Sequence, residues 1–542
     1  MTKQQKNTFI TLLGIGILYF CIFIVPNLAG AKNANMLALF EVDEYAQYPH
    51  VIRMLTPGSD AYQTIRNFFI YLHYFYGFPF YFFSAIFIFP IKLIFGPGWQ
   101  ENTQIIVVVL RQMLNVFPML LSIFFLVYMQ TKFKDYWKSV FLFVLLLSIP
   151  AVIVNNMWWH PDSLVFIFII LTIYFLYKDN LRFKRNYFFA AIACGLAIGT
   201  KHLGVFFILT IPAYLIWGII GKYISIKRSV LYAILFVIVM TLAVVVSNPL
   251  LLLPIERGEI INIFRVQWIQ SSTGVLLANS EPFFTWNNYP TDFRIHYGEL
   301  FFIVIALISV IFGVFRKEKR LLNFLILTWM IPLTTIILVF GTRRTHYFIP
   351  VLLPAFSCLI NYYPTKKSDA KTKGLKDVIQ YYILPILAGI LILTQLFIFV
   401  KTDVRIYVET KNKENNSRSI AFYKDITEQL APGLYEEKLT VYRDWRIYFP
   451  TNDNWRVEMN WDLANYDYIT ELDPDLILLE SENVQLFADE ETINKAVEPD
   501  EMRILNAFYG DAADDNLNGY HQLQADGYGY IFIKDSIFKK YY

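Results

Sequence analysis

His160-Pro161-Asp162-Ser163-Leu164-Val165-Phe166-Ile167-Phe168-Ile169-Ile170-Leu171-Thr172-Ile173-Tyr174-Phe175-Leu176-Tyr177-Lys178 is a single apolar run with an acid at one end and a lysine at the other. Proline at the first helical position and aspartate in the first turn are ordinary helix-start chemistry. The run is close to the roughly 20 residues a helix needs to cross a bilayer. A basic link comes after it, Lys178/Arg182/Lys184/Arg185. The stretch therefore reads as a membrane span with a polar outer end and a basic cytoplasmic end.

Similar runs occupy 8–29, 104–130, 139–157, 187–200, 204–221, 229–248, 298–315, 321–340, 346–361 and 379–400, so eleven spans are predicted. The run 8–29 comes after Lys3 and Lys6 and has no small-residue cleavage pattern, which reads as an uncleaved first span. The run 68–95 contains Pro79 and Pro90 together with His73, Gly77 and Lys92, and its prolines are expected to break any continuous helix. If it does not cross, the 21 basic residues of the N-terminal segment and the short links all fall on one side. The positive-inside rule favours that arrangement. The expected topology has a cytoplasmic N-terminus, with loops 30–103 and 249–297 and a soluble domain 401–542 outside.

Composition agrees. Of 542 residues, 56% are apolar, 18% aromatic and 17% charged, and the mean hydropathy is +0.42. These values exclude a disordered chain and disfavour a soluble enzyme. Residues 1–400 carry a net charge of +16 and residues 401–542 one of −13. A basic membrane domain, 1–400, is thus followed by an acidic extracytoplasmic one, 401–542. Strand-like stretches at Leu439–Tyr442, Leu476–Leu479 and Tyr528–Ile533 alternate with helix-compatible segments, predicting a small α/β domain. Cys21, Cys194 and Cys358 lie in apolar runs, and neither a disulfide framework nor a cysteine-based zinc site is readable.

Ionisable groups near a membrane core are costly, so those that cluster on one face are candidates for function. On the expected outer face these are Asp43, Glu44, Arg111, His160, Asp162, Lys201, His202, Arg343, Arg344 and His346. Each has a structural reading too. Asp43 and Glu44 suit the acidic first turn of an interfacial helix, and Lys201 suits a snorkelling span end. Arg111 lies seven residues inside its run, deeper than an anchor needs, and Arg343–Arg344 oppose the positive-inside bias. Carboxylates that can act as base or metal ligand thus share a face with cations that can hold a phosphate. A Walker loop, a dinucleotide fingerprint, a Gly-x-Ser-x-Gly elbow, a His-Glu-x-x-His helix and a nucleic-acid-reading pattern are all absent.

The order of motifs resembles a known family. Asp43-Glu44 with Tyr48 stands in the first outer loop. The next span begins near Arg111, Pro161-Asp162-Ser163-Leu164 lies in a short outer loop, and Gly195-Leu196-Ala197 leads to Thr200-Lys201. Ser247-Asn248-Pro249 and Arg343-Arg344-Thr345-His346-Tyr347-Phe348-Ile349-Pro350 complete the series. Over about residues 8–360 this resembles the GT-C membrane glycosyltransferases, in a bacterial branch related to protein O-mannosyltransferases and the lipid A aminoarabinose transferase. The resemblance implies transfer of a sugar from a polyprenyl-phosphate donor to a lipid, glycan or protein acceptor on the outer face of a bacterial inner membrane. Asp43 matches the position of a catalytic base, with Glu44 as its neighbour and Asp162 as the acid of the second outer loop. Arg111, Lys201, Arg343, Arg344 and Tyr347 match positions expected to hold the lipid phosphate. His160, His202 and His346 would support them, and divalent-metal dependence stays open. Two departures stand out. The first loop reads Tyr71-Leu72-His73-Tyr74-Phe75-Tyr76-Gly77-Phe78-Pro79 where protein O-mannosyltransferases carry a His-Pro-Pro-Leu-type run, and no Trp-Trp-Asp-Tyr-Gly motif occurs in the tail. The competing readings are a flippase or transporter of lipid-linked sugar and a polysaccharide polymerase or ligase. A transporter is expected to carry polar groups at mid-depth, whereas here they gather at one face.

Overall fold

The computed structural model describes all residues except 202–203, 206–208, 274–290, 340–343, 364–381, 451–452 and 526. The chain divides into two units, one of Met1–Asn27, His50–Gln267 and Pro282–Thr410, the other of Leu28–Pro49, Trp268–Glu281 and Lys411–Tyr542.

The first unit is helical. Among the described residues six helices are long and apolar enough to cross a membrane: Lys3–Leu28, Phe78–Phe95, Thr103–Thr131, Ile226–Ser247, Arg320–Leu338 and Leu384–Lys411. Helix Asp162–Asp179 has 18 residues, and shorter apolar helices include Tyr136–Leu147, Thr210–Ile220 and Leu300–Phe315. The run 68–95 is broken as expected, over residues 70–77 between helices Ala61–Phe69 and Phe78–Phe95, although Pro90 leaves the second helix continuous. Pro79 falls in its first turn, where the missing N–H has no partner to lose, and Pro90 falls near the C-terminal end. A second, unexpected break falls in the predicted span 139–157, which splits into Tyr136–Leu147 and Pro150–Asn155. Pro150 drives the preceding Ile149 into an extended conformation.

Helix Asp162–Asp179 is the centre of this unit, packed against Arg185–Thr200 and Phe117–Thr131. Its two terminal acids are both buried, yet their surroundings differ. Asp179 accepts from the backbone amides of Phe183 (2.8 Å) and Lys184 (2.9 Å) and from the Tyr214 hydroxyl (2.8 Å), a complete structural cap. Asp162, at the other end, meets side-chain cations and imidazoles.

The second unit is an α/β domain around a five-stranded sheet in the order β2-β1-β3-β5-β4. The strands are β1 (Leu439–Arg443), β2 (Trp455–Glu458), β3 (Leu476–Glu480), β4 (Tyr520–Ala525) and β5 (Gly529–Lys534). β2, β1 and β3 run parallel, while β5 is antiparallel to β3 and β4 to β5. Every residue of β3 is buried, as befits a central strand covered on both faces. Asp444, just past β1, is buried and accepts from Tyr509 Oη (2.9 Å), Tyr442 Oη (3.3 Å), Asn483 Nδ2 (3.0 Å) and the Glu480 amide (2.9 Å). Burial raises its carboxyl above the usual range despite these donors.

Candidate active site

The site is built from the start of helix Asp162–Asp179 outward. Asp162 Oδ1 lies 2.7 Å from Lys201 Nζ. Its Oδ2 faces two imidazoles, pairing with His160 Nδ1 and lying 3.6 Å from His346 Nε2. His160 Nε2 lies 2.7 Å from the Tyr76 hydroxyl. Trp158 stacks on the His160 ring, with centroids 4.1 Å apart and planes 7° apart. The Lys201 ammonium stands over the Tyr347 ring at 4.9 Å and near that of Tyr76 at 5.9 Å. Asp162 and Lys201 are 7% and 5% exposed, so each is the other's main charge compensation.

Local structure explains why these groups meet. The helix carrying Arg111 is Thr103–Arg111, and it continues through a π turn, Gln112–Val116, into Phe117–Thr131. A π turn widens the helix by a residue and re-aims its side chains. Here it presents Asn115, whose Oδ1 accepts from the His160 amide at 3.2 Å and whose Nδ2 donates to the Asn155 carbonyl at 3.2 Å. The backbone just before Lys201 is held by Asn248. The Asn248 Nδ2 donates to the Gly199 carbonyl (2.9 Å), and its Oδ1 accepts from the Phe78 amide (2.8 Å). The Gly77 amide donates to the Thr200 carbonyl (3.0 Å). A Cβ on Gly77 would collide with the Gly199 carbonyl, and one on Gly199 with Ser247 and Asn248. The two glycines are needed for this close approach. Tyr297 donates to the Thr345 carbonyl at 2.6 Å, holding the turn that carries His346 and Tyr347.

Within this unit the structure brings together His160, Asp162, Lys201, His346 and Tyr347. Arg111 is buried and donates through Nη1 to the Asn27 carbonyl at 2.8 Å, holding the end of the first helix. Arg344 is exposed and precedes the turn Thr345–Phe348. His202 and Arg343 lie outside the described residues. Asp43 and Glu44 belong to the second unit, in the first turn of helix Val42–Leu55, with Glu44 buried and Asp43 half-buried. Sequence reasoning does not single out Tyr76, Trp158 or Asn248 as site residues. Each lies in or beside a noted motif, but only the fold shows what it touches.

His160, Asp162 and His346 each present one ligand atom, all within 4.8 Å of one another, a donor set of two imidazoles and a carboxylate suited to a divalent metal. The Tyr76 contact to His160 Nε2 is the kind of outer partner that orients a ligating histidine. Lys201 occupies the other carboxylate oxygen, so a metal would share Asp162 with an ammonium.

No family model and no curated protein matches the sequence. Solved structures do. ArnT from Cupriavidus metallidurans bound to undecaprenyl phosphate aligns with a TM-score of 0.53 at 11% identity, covering 96% of this chain and 97% of its own. The same protein in the apo state gives 0.53 at 12%, with 97% and 98% covered. The Archaeoglobus fulgidus oligosaccharyltransferase in its apo form gives 0.52 at 13%, with 96% and 74% covered. Across nearly its whole length the chain has the GT-C fold of these membrane glycosyltransferases.

Proposed function

We propose that the chain is a membrane glycosyltransferase that moves a sugar from a polyprenyl-phosphate donor to an acceptor hydroxyl on the extracytoplasmic face, inverting the anomeric centre. The observation that carries this reading is the buried Lys201–Asp162 pair, flanked by two imidazoles and Tyr347 at one end of a spanning helix. The undecaprenyl phosphate bound in the ArnT neighbour supports a polyprenyl carrier.

The chemistry needs a base on the acceptor and positive charge on the leaving group. Asp43 takes the proton of the acceptor hydroxyl, with Glu44 beside it in the same helical turn. The acceptor oxygen bonds the anomeric carbon as the bond from that carbon to the phosphate oxygen breaks. The electron pair leaves with the lipid phosphate, held by Lys201, Arg344 and Tyr347, with Arg111 and Arg343 in support. Asp162 keeps the Lys201 ammonium aimed. A divalent metal held by His160, Asp162 and His346 would add positive charge at the same phosphate. The lipid, glycan or protein nature of the acceptor is left to experiment. The membrane is a bacterial inner membrane, the N-terminus is cytoplasmic and the acidic domain is outside.

The test uses purified protein in lipid with a panel of radiolabelled polyprenyl-phosphate sugars. Sugar release is followed with and without crude membrane acceptors, beside Asp43→Asn. Consumption of one donor that disappears in the variant supports the reading. Consumption unaffected by the variant removes Asp43 as base, and no consumption of any monophosphate donor points to a diphosphate donor or a transporter.

A further inference from the structure

The second unit gathers the segment that leaves the first span, residues 28–49, together with the C-terminal domain. Seven residues of that short segment are tied to residues 413–461. The Gly30 amide donates to Glu414 Oε1 at 2.8 Å, and Lys32 Nζ lies 2.5 Å from Glu414 Oε2. Gly30 has φ +69, a left-handed turn that brings the amide onto the carboxylate. Asn33 caps helix Ala34–Phe40 through the Met36 amide (2.9 Å), and its Nδ2 reaches the Tyr448 hydroxyl at 3.3 Å. Asn35 Oδ1 accepts from Arg443 Nη2 at 3.1 Å. Lys413 Nζ lies 3.4 Å from Glu41 Oε1 and stands over the Phe40 ring at 5.0 Å. Tyr45 packs against Trp461, with ring centroids 5.7 Å apart.

Two details make this more than surface packing. First, Glu41 and Tyr45 bracket Asp43 and Glu44 at a distance of one or two residues, so the acidic turn is gripped from both sides. Second, Arg443 is 1% exposed at the end of β1, and its Nη1 is spent on the carbonyls of Asp444 (3.3 Å), Trp445 (3.2 Å) and Ile447 (3.0 Å). Among the described residues it makes no ion pair, and its remaining Nη2 hydrogen bond crosses to Asn35. A guanidinium braced on three carbonyls is rigid, and it passes that rigidity to the helix Ala34–Phe40.

We propose that the C-terminal domain holds the first-loop carboxylates in place, with Arg443, Lys413 and Glu414 as positioning residues for Asp43 and Glu44. The consequence for chemistry rests on the reading of Asp43 as base, whereas the tether itself does not. The acidic tail thereby acts on the first-loop carboxylates, even though none of its own side chains need touch the donor.

Hydrogen exchange of the full-length protein in lipid nanodiscs, read on peptides covering residues 30–48, is the first arm. Donor turnover is the second. Asn35→Leu and Glu414→Ala are expected to speed exchange of that segment at least tenfold. They should also lower kcat at least tenfold with KM for the donor within twofold. Arg443→Lys should retain more turnover than Arg443→Gln. Lys495→Ala, which breaks an exposed pair with Glu491 elsewhere in the domain, should change neither. Should Arg443→Gln fail to fold, Asn35→Leu tests the same contact from the loop side. Unchanged exchange in Asn35→Leu and Glu414→Ala overturns the tether, and faster exchange with unaltered kcat overturns its role in positioning. A wild type inert toward every lipid-linked donor overturns the enzyme reading, while the exchange arm still decides the tether.

Discussion

Lys201 Nζ lies 2.7 Å from Asp162 Oδ1 with both side chains almost wholly buried, so the two charges depend on each other. Removing one member of such a pair strands the other, at a cost of about 3–5 kcal/mol, whereas removing both costs far less. Lys201→Met is therefore expected to lower the thermal midpoint strongly and abolish donor turnover. The double variant Asp162→Asn/Lys201→Met should regain most of the midpoint and none of the turnover. Thermal unfolding of the wild type, both single variants and the double variant checks this, and strictly additive losses would show the pair is not coupled.

The His160–Asp162–His346 set should bind Zn²⁺ at one ion per chain. Binding requires neutral imidazoles, and burial holds His346 well below the ordinary imidazole value of 6.5, so the affinity should stay level down to about that pH and fall only below it. Titration calorimetry of the chelator-treated protein measures both. His346→Ala should abolish binding, and retention of full affinity in that variant would place the metal elsewhere.

Asn248 satisfies the Gly199 carbonyl and the Phe78 amide together. In Asn248→Ala both groups lose their side-chain partner, each worth about 1–3 kcal/mol if left unsatisfied. The variant should be less stable and should lose turnover through misplacement of Lys201, while Asn248→Asp, which keeps only the acceptor, should fall between. An Asn248→Ala enzyme with wild-type kcat would show that Lys201 is positioned independently.

Glu480 in the second unit gives a pH signature. Burial, with Asp444 and Glu482 nearby, pushes its carboxyl from the ordinary value of 4.5 up to about 7, against the opposing pull of Arg446. The folded state therefore holds this proton at pH values where the unfolded chain has released it. The contribution is fully present below about pH 4.5 and is lost as pH rises through about 7. After allowance for solvent screening it amounts to about 1–2 kcal/mol. Denaturant unfolding at pH 5 and pH 8 should show this loss in the wild type and a smaller one in Glu480→Gln. Identical pH slopes would exclude Glu480 as the source.

Apolar length and charge make the helical body legible, and the alternation around Leu439, Leu476 and Tyr528 foretells β1, β3 and β5. β2 and β4 escape notice because Trp455–Glu458 and Tyr520–Ala525 are short or polar edge strands without a buried run. Proline misleads in both directions. The run 68–95 does break, just before Pro79, but Pro90 lies inside a helix that is continuous, and Pro150 divides a run that reads as whole. What matters is where in a helix the proline falls, which hydropathy does not show. At the site, one-sided clustering identifies Asp162, Lys201, His160 and His346. It leaves out Tyr76 and Trp158, since an aromatic chain as rich in Phe and Tyr as this one gives no reason to single out two rings. That residues 28–49 group with the tail, nearly 400 residues later, is a long-range fact with no local signature.

The π turn at Gln112–Val116 also makes the helix sensitive to length in an unusual way. Deleting one residue there would let an ordinary α-helix close, leaving its hydrophobic span almost as long as before. Because the five-residue π turn sweeps about the same angle as four α-helical residues, the flanking stretches would keep nearly their present faces, while the turn that presents Asn115 would be lost. Arg111 and Asn115 would then no longer serve the Asn27 carbonyl and the His160 amide at once. A single-codon deletion would thus pass every test of membrane insertion and still cut the link that runs from the Asn27 carbonyl to the His160 amide. Homologues that differ in length at this point should accordingly have changed Arg111 and Asn115 together.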